Sequence, residues 1–168
     1  MNAGKVLRIF IGKMPMDPLT EVSSVRAIAL QGLKGDRYAS LSGSFSHLPK
    51  ARDVTLISEE AFLIAKRDHG IVFAHHETRR NILVSMSVSE LNALVGKHFR
   101  VGQVVMFGTE LCDPCKLPAR LIGKPDRDFI DGFKNSGGIR ARIDTDGLID
   151  INAYIDLLVS SSMLPQCP

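Results

Sequence analysis

Phe99-Arg100-Val101-Gly102-Gln103-Val104-Val105-Met106-Phe107-Gly108 is the stretch on which the fold class turns. Apolar, largely β-branched and aromatic residues on either side of one glycine predict two strands joined near Gly102. The second strand runs straight into the loop Cys112-Asp113-Pro114-Cys115. Working outward, residues 6–11, 22–29, 53–57 and 81–84 are further short apolar runs of strand length. Ser58 is placed to cap a helix over 59–68 that stops at Gly70, and Ser89 to cap a short helix through Val95, ended by Gly96. Residues 116–122 and 126–133 read as two brief helices. Residues 139–143 and 148–151 read as a hairpin around Asp144-Thr145-Asp146-Gly147, whose Asp-Gly step favours positive φ. Residues 38–50, rich in serine and without periodicity, read as a long loop. Many short strands, few helices and no regular βαβ alternation predict a mainly β fold, a barrel or closed sheet with short peripheral helices.

The bulk numbers narrow the class. A chain of 168 residues with 45% hydrophobic content supports one domain with a substantial core. We place that domain at 1–152 and a tail at 153–168. No apolar run approaches the ~18–20 residues that span a bilayer, and the first residues lead into a strand rather than a signal-peptide core, so no membrane partner is expected. Three cysteines, two in one CxxC and the third at Cys167, do not form the even framework of a secreted disulfide scaffold. A cytoplasmic location is the expectation. The net charge of +3 is far from the dense Lys/Arg stripe of a dedicated nucleic-acid binder.

The candidate chemistry centres on Cys112 and Cys115. A CxxC pair is compatible with a zinc half-site, a redox pair, one reactive thiolate or two buried small hydrophobes. Zinc would need two further ligands, and the adjacent His75-His76 pair is poorly disposed to supply them. Arg79-Arg80-Asn81 closes a polar stretch and enters a strand, so one arginine can face inward while the other is solvated. Arg140 and Arg142, two apart on a strand, share a face and make a plausible fork for phosphate or carboxylate. Gly137-Gly138 just before them either lets backbone N–H groups approach an anion or serves only a tight turn. No Ser-His-Asp arrangement, Walker loop or dinucleotide fingerprint is present.

Taken in order, these motifs resemble the MOSC domain, the family named for the C-terminal part of eukaryotic molybdenum-cofactor sulfurases. The resemblance runs from about Ser24 to Ile151. It rests on Gly32-Leu33-Lys34-Gly35-Asp36-Arg37, Asp53-Val54-Thr55-Leu56-Ile57, Arg79-Arg80-Asn81-Ile82, Leu91-Asn92-Ala93-Leu94-Val95-Gly96 with Phe99-Arg100-Val101-Gly102, Cys112-Asp113-Pro114-Cys115 and Gly137-Gly138-Ile139-Arg140-Ala141-Arg142. The resemblance implies a closed β-barrel with a pocket for a molybdenum–pterin cofactor. It makes Cys115, in the Pro-Cys pair, the metal ligand and catalytic residue, with Cys112 as accessory. Arg79, Arg80 and Asn81 would hold the pterin phosphate or a substrate anion, and Gly137, Gly138 and Arg140 would line the same pocket. Thiolate is a soft ligand suited to such a centre.

Where many relatives carry histidine after Asp36-Arg37, this chain has Tyr38. The amino-terminal extension of larger relatives and the PLP-dependent desulfurase domain of the sulfurases have no counterpart in the sequence, so no PLP is expected. Two activities follow from the resemblance. One is reduction of N-hydroxylated bases or amidoximes, small-molecule substrates, with electrons from a separate flavin or iron–sulfur reductase. The other is a non-catalytic sulfur carrier holding a Cys115 persulfide received from a cysteine desulfurase.

Overall fold

The computed structural model describes residues 2–40 and 52–158. The loop read over 38–50 lies, beyond Ser40, outside the described residues, as does Cys167. The chain forms eleven strands among the described residues: β1 (Asn2–Ile11), β2 (Thr20–Val22), β3 (Ser24–Ile28), β4 (Gly32–Leu33), β5 (Val54–Ser58), β6 (Ile82–Val84), β7 (His98–Val101), β8 (Val104–Leu111), β9 (Ile139–Ile143), β10 (Gly147–Asp150) and β11 (Tyr154–Leu157). Four short helices accompany them: α1 (Glu59–His69), α2 (Val88–Asn92), α3 (Leu117–Leu121) and α4 (Asp126–Gly132).

Seven strands close into a barrel in the order β1-β11-β7-β8-β9-β5-β6, and β6 returns to β1. All neighbours are antiparallel except β5 and β6, which are parallel and joined through α1. β2 adds to β1 outside the ring, and β10, β3 and β4 form a separate small sheet. No helix among the described residues is long and apolar enough to cross a membrane.

The period-two alternation of the strands divides the apolar residues between two cores. Ile9, Leu56, Ile82, Val84, Phe99, Val101, Met106, Ala141 and Ile143 point into the barrel. Their neighbours Phe10, Ile57 and Leu83 point outward and pack with Ala61 and Ala65 of α1, Ala119 of α3, and Phe129 and Phe133 around α4. This is why Val54–Ser58 is buried at every position: β5 is covered on both faces. The helical layer leans on the outer wall of β1, β5 and β6, and the candidate site lies at its edge.

Local signals hold where they are strongest. The Ser58 hydroxyl accepts from the Glu60 N–H at the start of α1, and Gly70 ends the helix in the left-handed region. Gly102 turns β7 into β8 with positive φ.

Three expectations are corrected. The cap of α2 is Ser87, not Ser89, because Ser87 and Glu90 close a reciprocal capping box. Residues 139–143 and 148–151 do not form a hairpin: β9 has both edges taken, by β5 and β8, so β10 has no edge to join and pairs with β3 instead. Asp146 secures that diversion by accepting from the Ala29 N–H at 2.7 Å. Finally, Tyr154–Leu157, which fell within the expected tail, forms β11 and closes the barrel against β1 and β7.

Candidate active site

The site is built around the short segment that enters β6. A single 3₁₀ turn, His75–Thr78, ends at Arg79, whose φ of 64° is left-handed for a residue with a β-carbon. Such a conformation costs on the order of 1 kcal/mol and persists only where the surroundings dictate it. Here they do. The Arg79 N–H donates to the His76 carbonyl at 3.2 Å, its carbonyl accepts from Arg37 Nη2 at 3.1 Å, and its guanidinium donates to the carbonyls of Asp17, at 2.8 Å, and Pro15. Arg79 thereby pins the β1–β2 connection. Burial and the neighbouring Arg37 charge lower its pKa from the ordinary guanidinium value.

Arg80, half-buried, turns the other way. Its Nε donates to the Gly137 carbonyl at 2.7 Å, Nη1 reaches the Thr78 carbonyl at 3.4 Å, and the guanidinium lies 5.7 Å from the centre of the Phe129 ring. Among the described residues Arg80 has no carboxylate partner, and its Nη2 makes no hydrogen bond.

Asn81 is fully buried and committed to the wall. Its Oδ1 accepts from the Thr55 N–H and hydroxyl at 3.1 and 3.0 Å, and its Nδ2 donates to the Phe10 carbonyl and to Asp36 Oδ1 at 3.1 and 3.2 Å. Asp36, also buried, further accepts from the Gly12 and Tyr38 N–H groups and from Arg37 Nη1. This hub ties β1, β6 and the turn after β4 together, with every oxygen partnered.

Cys115 completes the arrangement. It is a free, half-buried thiol in the loop between β8 and α3. It shares a narrow cleft with Arg37, Tyr38, Arg79, Arg80, Leu117 and Pro118. The cleft is small, about 30 Å³, so a large partner of the thiol meets it at the mouth. Three arginines line the cleft; among the described residues Asp36 pairs with Arg37, and the Asp36 and Asp17 charges both act on Arg79. The cleft is therefore electropositive beside a soft sulfur donor. That donor set fits an anionic, phosphate-bearing group attached to a soft metal. Among the described residues no three His, Cys, Asp or Glu side chains converge as a metal cluster.

The remaining expected residues lie apart from the cleft mouth. Cys112 is buried and free, with its N–H donating to the Gly138 carbonyl at 2.8 Å. Gly137 and Gly138 serve close approach of chains. A β-carbon on Gly137 would collide with the Cys112 carbonyl; on Gly138, where φ is 90°, it would collide with the Leu56 carbonyl. Gly137 reaches the site only through the carbonyl that receives Arg80.

Arg140 sits on the outer face of β9, where its Nη1 pairs with Glu110 at 3.2 Å and Arg52 pairs with the same carboxylate at 2.6 Å. Arg142 pairs with Asp144 at 2.5 Å and does not line the Cys115 cleft. Sequence reasoning left out Arg37 and Tyr38. The signal was available, since Asp36-Arg37 closes the motif beginning at Gly32, but nothing local shows that Arg37 folds back onto the Arg79 carbonyl.

The model of the MOSC domain matches residues 44–155. Solved structures with the same fold include the YuaD protein from Bacillus subtilis, 16% identical with a TM-score of 0.76 over 92% of this chain and 94% of that one. YiiM from Geobacillus stearothermophilus is 14% identical with a TM-score of 0.67, over 93% and 75% of the two chains. YiiM from Escherichia coli is 18% identical with a TM-score of 0.67, over 95% and 70%. At these identities the likeness is one of fold. No curated protein gives a significant sequence match.

Proposed function

The chain belongs to the MOSC domain family, and from that premise we propose that it binds a molybdenum–pterin cofactor at the Cys115 cleft and reduces N-hydroxylated small molecules, bases or amidoximes, with electrons from a separate flavin or iron–sulfur reductase. The observation that carries this reading is the meeting of a half-exposed free thiol with three arginines in one cleft whose lining includes no carboxylate. Each turnover converts an N–OH to an N–H and water, consuming two electrons and two protons. When bound, the cofactor supplies a metal that accepts oxygen and passes electrons singly or in pairs.

The chain's own residues do the rest. Cys115 would hold the metal through its sulfur. Arg80, with Nη2 uncommitted among the described residues, would receive the cofactor's phosphate at the mouth. Arg37 and Arg79 add fixed charge from behind, and Asn81 positions all three by locking Asp36 and Thr55. Gly137, Gly138 and Cys112 keep the loop that carries Cys115 close to β5. We place the protein in a reducing compartment, the cytoplasm, where the free Cys112 and Cys115 thiols persist.

The test is reduction of an N-hydroxylated base by protein purified from a host able to make the cofactor, with a reduced viologen dye as electron source. Cys115→Ser is expected to abolish product formation, and full activity in the cofactor-loaded variant would overturn the assignment. The accessibility of the same thiol favours a second reading, a carrier that takes persulfide sulfur onto Cys115. A persulfide mass adduct on Cys115 after incubation with a cysteine desulfurase, in protein that lacks molybdenum, would establish that reading instead.

A further inference from the structure

The small sheet of β3, β4 and β10 turns one face to solvent. Val25, Ala27 and Ile149 belong to the barrel core, and the alternation of the strands leaves Ser24, Arg26, Leu148 and Asp150 outside. In the ladder Arg26 stands opposite Leu148, and Ser24 opposite Asp150. β10 pairs with β3 alone, and beside it an open groove of about 630 Å³ reaches the β7–β8 turn at Gly102 and Gln103. Ile151 and Tyr154 border that groove together with Leu148 and Asp150. Leu148 is 53% exposed, Tyr154 47% and Ile151 41%. Scattered singly, such side chains would need no explanation; gathered along one groove they mark a surface that associates.

The charges on this face decide what covers it. Arg26 and Asp150 are both exposed, and neither has an ion pair or a side-chain hydrogen bond among the described residues. They are diagonal neighbours across the ladder, about 7–8 Å apart, at opposite corners of a square that Leu148 and Ser24 complete. Asp156, the other acid of the groove, is already paired with Arg100 at 3.3 Å. A basic partner would meet Arg26, and an acidic one would meet Asp150. A second copy of the same face satisfies both, because a two-fold axis lying between the two sheets sets each Arg26 against the other chain's Asp150. The electron donor of the reductase reading is not the occupant. β8 begins next to Gln103 of the groove and runs eight residues, about 25 Å, before the Cys112 loop, so the face lies at the far end of that strand from the cleft a donor must reach.

We propose that this face is the interface of a symmetric homodimer, in which the outer faces of β3 and β10 from two chains pack about a two-fold axis. Leu148, Ile151 and Tyr154 of each chain exclude water and supply the affinity, while the two Arg26–Asp150 pairs fix the register. The arrangement leaves both Cys115 clefts uncovered, and it does not depend on the reductase reading.

The experiment is analytical ultracentrifugation of the full chain across a dilution series. Wild type is expected to pass from dimer to monomer on dilution. Arg26→Asp and Asp150→Arg, each alone, set like charges together at both contacts and are expected to weaken association at least about tenfold; Leu148→Ser is expected to do the same by removing the apolar centre. The two charge reversals combined in one chain are expected to return the dimer to within about threefold of wild type. An equimolar mixture of the two single variants is expected to form heterodimers where neither variant dimerises alone. Misfolded chains would produce neither recovery. Wild type that stays monomeric throughout overturns the proposal, as does a dimer equally tight in both single variants, or single variants that stay apart both when mixed and when combined.

Discussion

Two arginine pairs that look alike in the sequence meet different fates in the fold. Arg79 and Arg80 donate to main-chain carbonyls, those of Pro15, Asp17, Gly137 and Thr78, and neither makes an ion pair with a carboxylate among the described residues. Arg140 and Arg142 pair with Glu110 and Asp144 on the outside of the barrel. A guanidinium held by carbonyl dipoles keeps its full charge for a ligand, whereas one held by a carboxylate presents little net field. The neighbour of each pair follows the same division. The first faces a half-exposed thiol, and the second faces Phe107, 5.2 Å from the Arg142 guanidinium, and the side chains of Arg52 and His98. What separates a binding arginine from a structural one here is therefore the identity of its fixed partner.

The two regions are joined through Gly137 and Gly138: the first supplies the carbonyl for Arg80, and two residues after the second comes Arg140. The largest effect is expected from breaking that joint. Gly138→Ala forces a β-carbon onto the Leu56 carbonyl in a left-handed conformation, and we expect a loss of about 3 kcal/mol or more in denaturant unfolding, with both pairs disturbed. Next comes the outer pair alone. Glu110→Gln removes the carboxylate shared by Arg52 and Arg140, both largely buried, and should cost about 2–3 kcal/mol of stability. It should leave ligand binding at Cys115 unchanged if the comparison holds.

Arg80→Gln tests the other side. It should weaken binding of inorganic phosphate at the cleft about tenfold, while Arg142→Gln changes it by less than about twofold. Equal losses in the two variants would erase the distinction between the pairs.

The smallest effect concerns pH and belongs to the outer region. Burial raises the Asp53 carboxyl above its ordinary pKa, opposed by the Ile143 N–H, which it accepts at 2.9 Å, and by the Arg142 charge. A carboxyl raised in the folded state stabilises the fold below its unfolded pKa of about 4 and loses that contribution as pH rises through the folded value. Asp53→Asn should therefore gain on the wild type between pH 4 and pH 7, read from urea midpoints at the two values. A wild type that gains instead would contradict the burial argument.

How far the sequence disclosed this is best seen residue by residue. Ser58 and Gly70 bracket α1 because cap and stop act within a few residues of the atoms they satisfy. The turn at Gly102 is legible for the same reason. The supposed hairpin after Ile143 fails because pairing is decided by which edges are free, and β5 and β8 had already filled those of β9. β11 was missed because Tyr154–Leu157 is four residues long and acquires its meaning only from β1, some 150 positions earlier. At the site, Cys115 and Arg80 were readable as chemistry-bearing types in a family motif. That Asn81 would be sealed in the wall, and that Arg140 would turn to Glu110 rather than toward the thiol, depends on partners distant in the chain.

The most direct test of the account is molybdenum content per chain in four proteins purified side by side from a host able to make the cofactor: wild type, Cys115→Ser, Arg80→Gln and Arg142→Gln. Near-stoichiometric metal in wild type and Arg142→Gln, reduced metal in Arg80→Gln and none in Cys115→Ser is the predicted result. Full occupancy in Cys115→Ser, or equal loss in Arg80→Gln and Arg142→Gln, would contradict it.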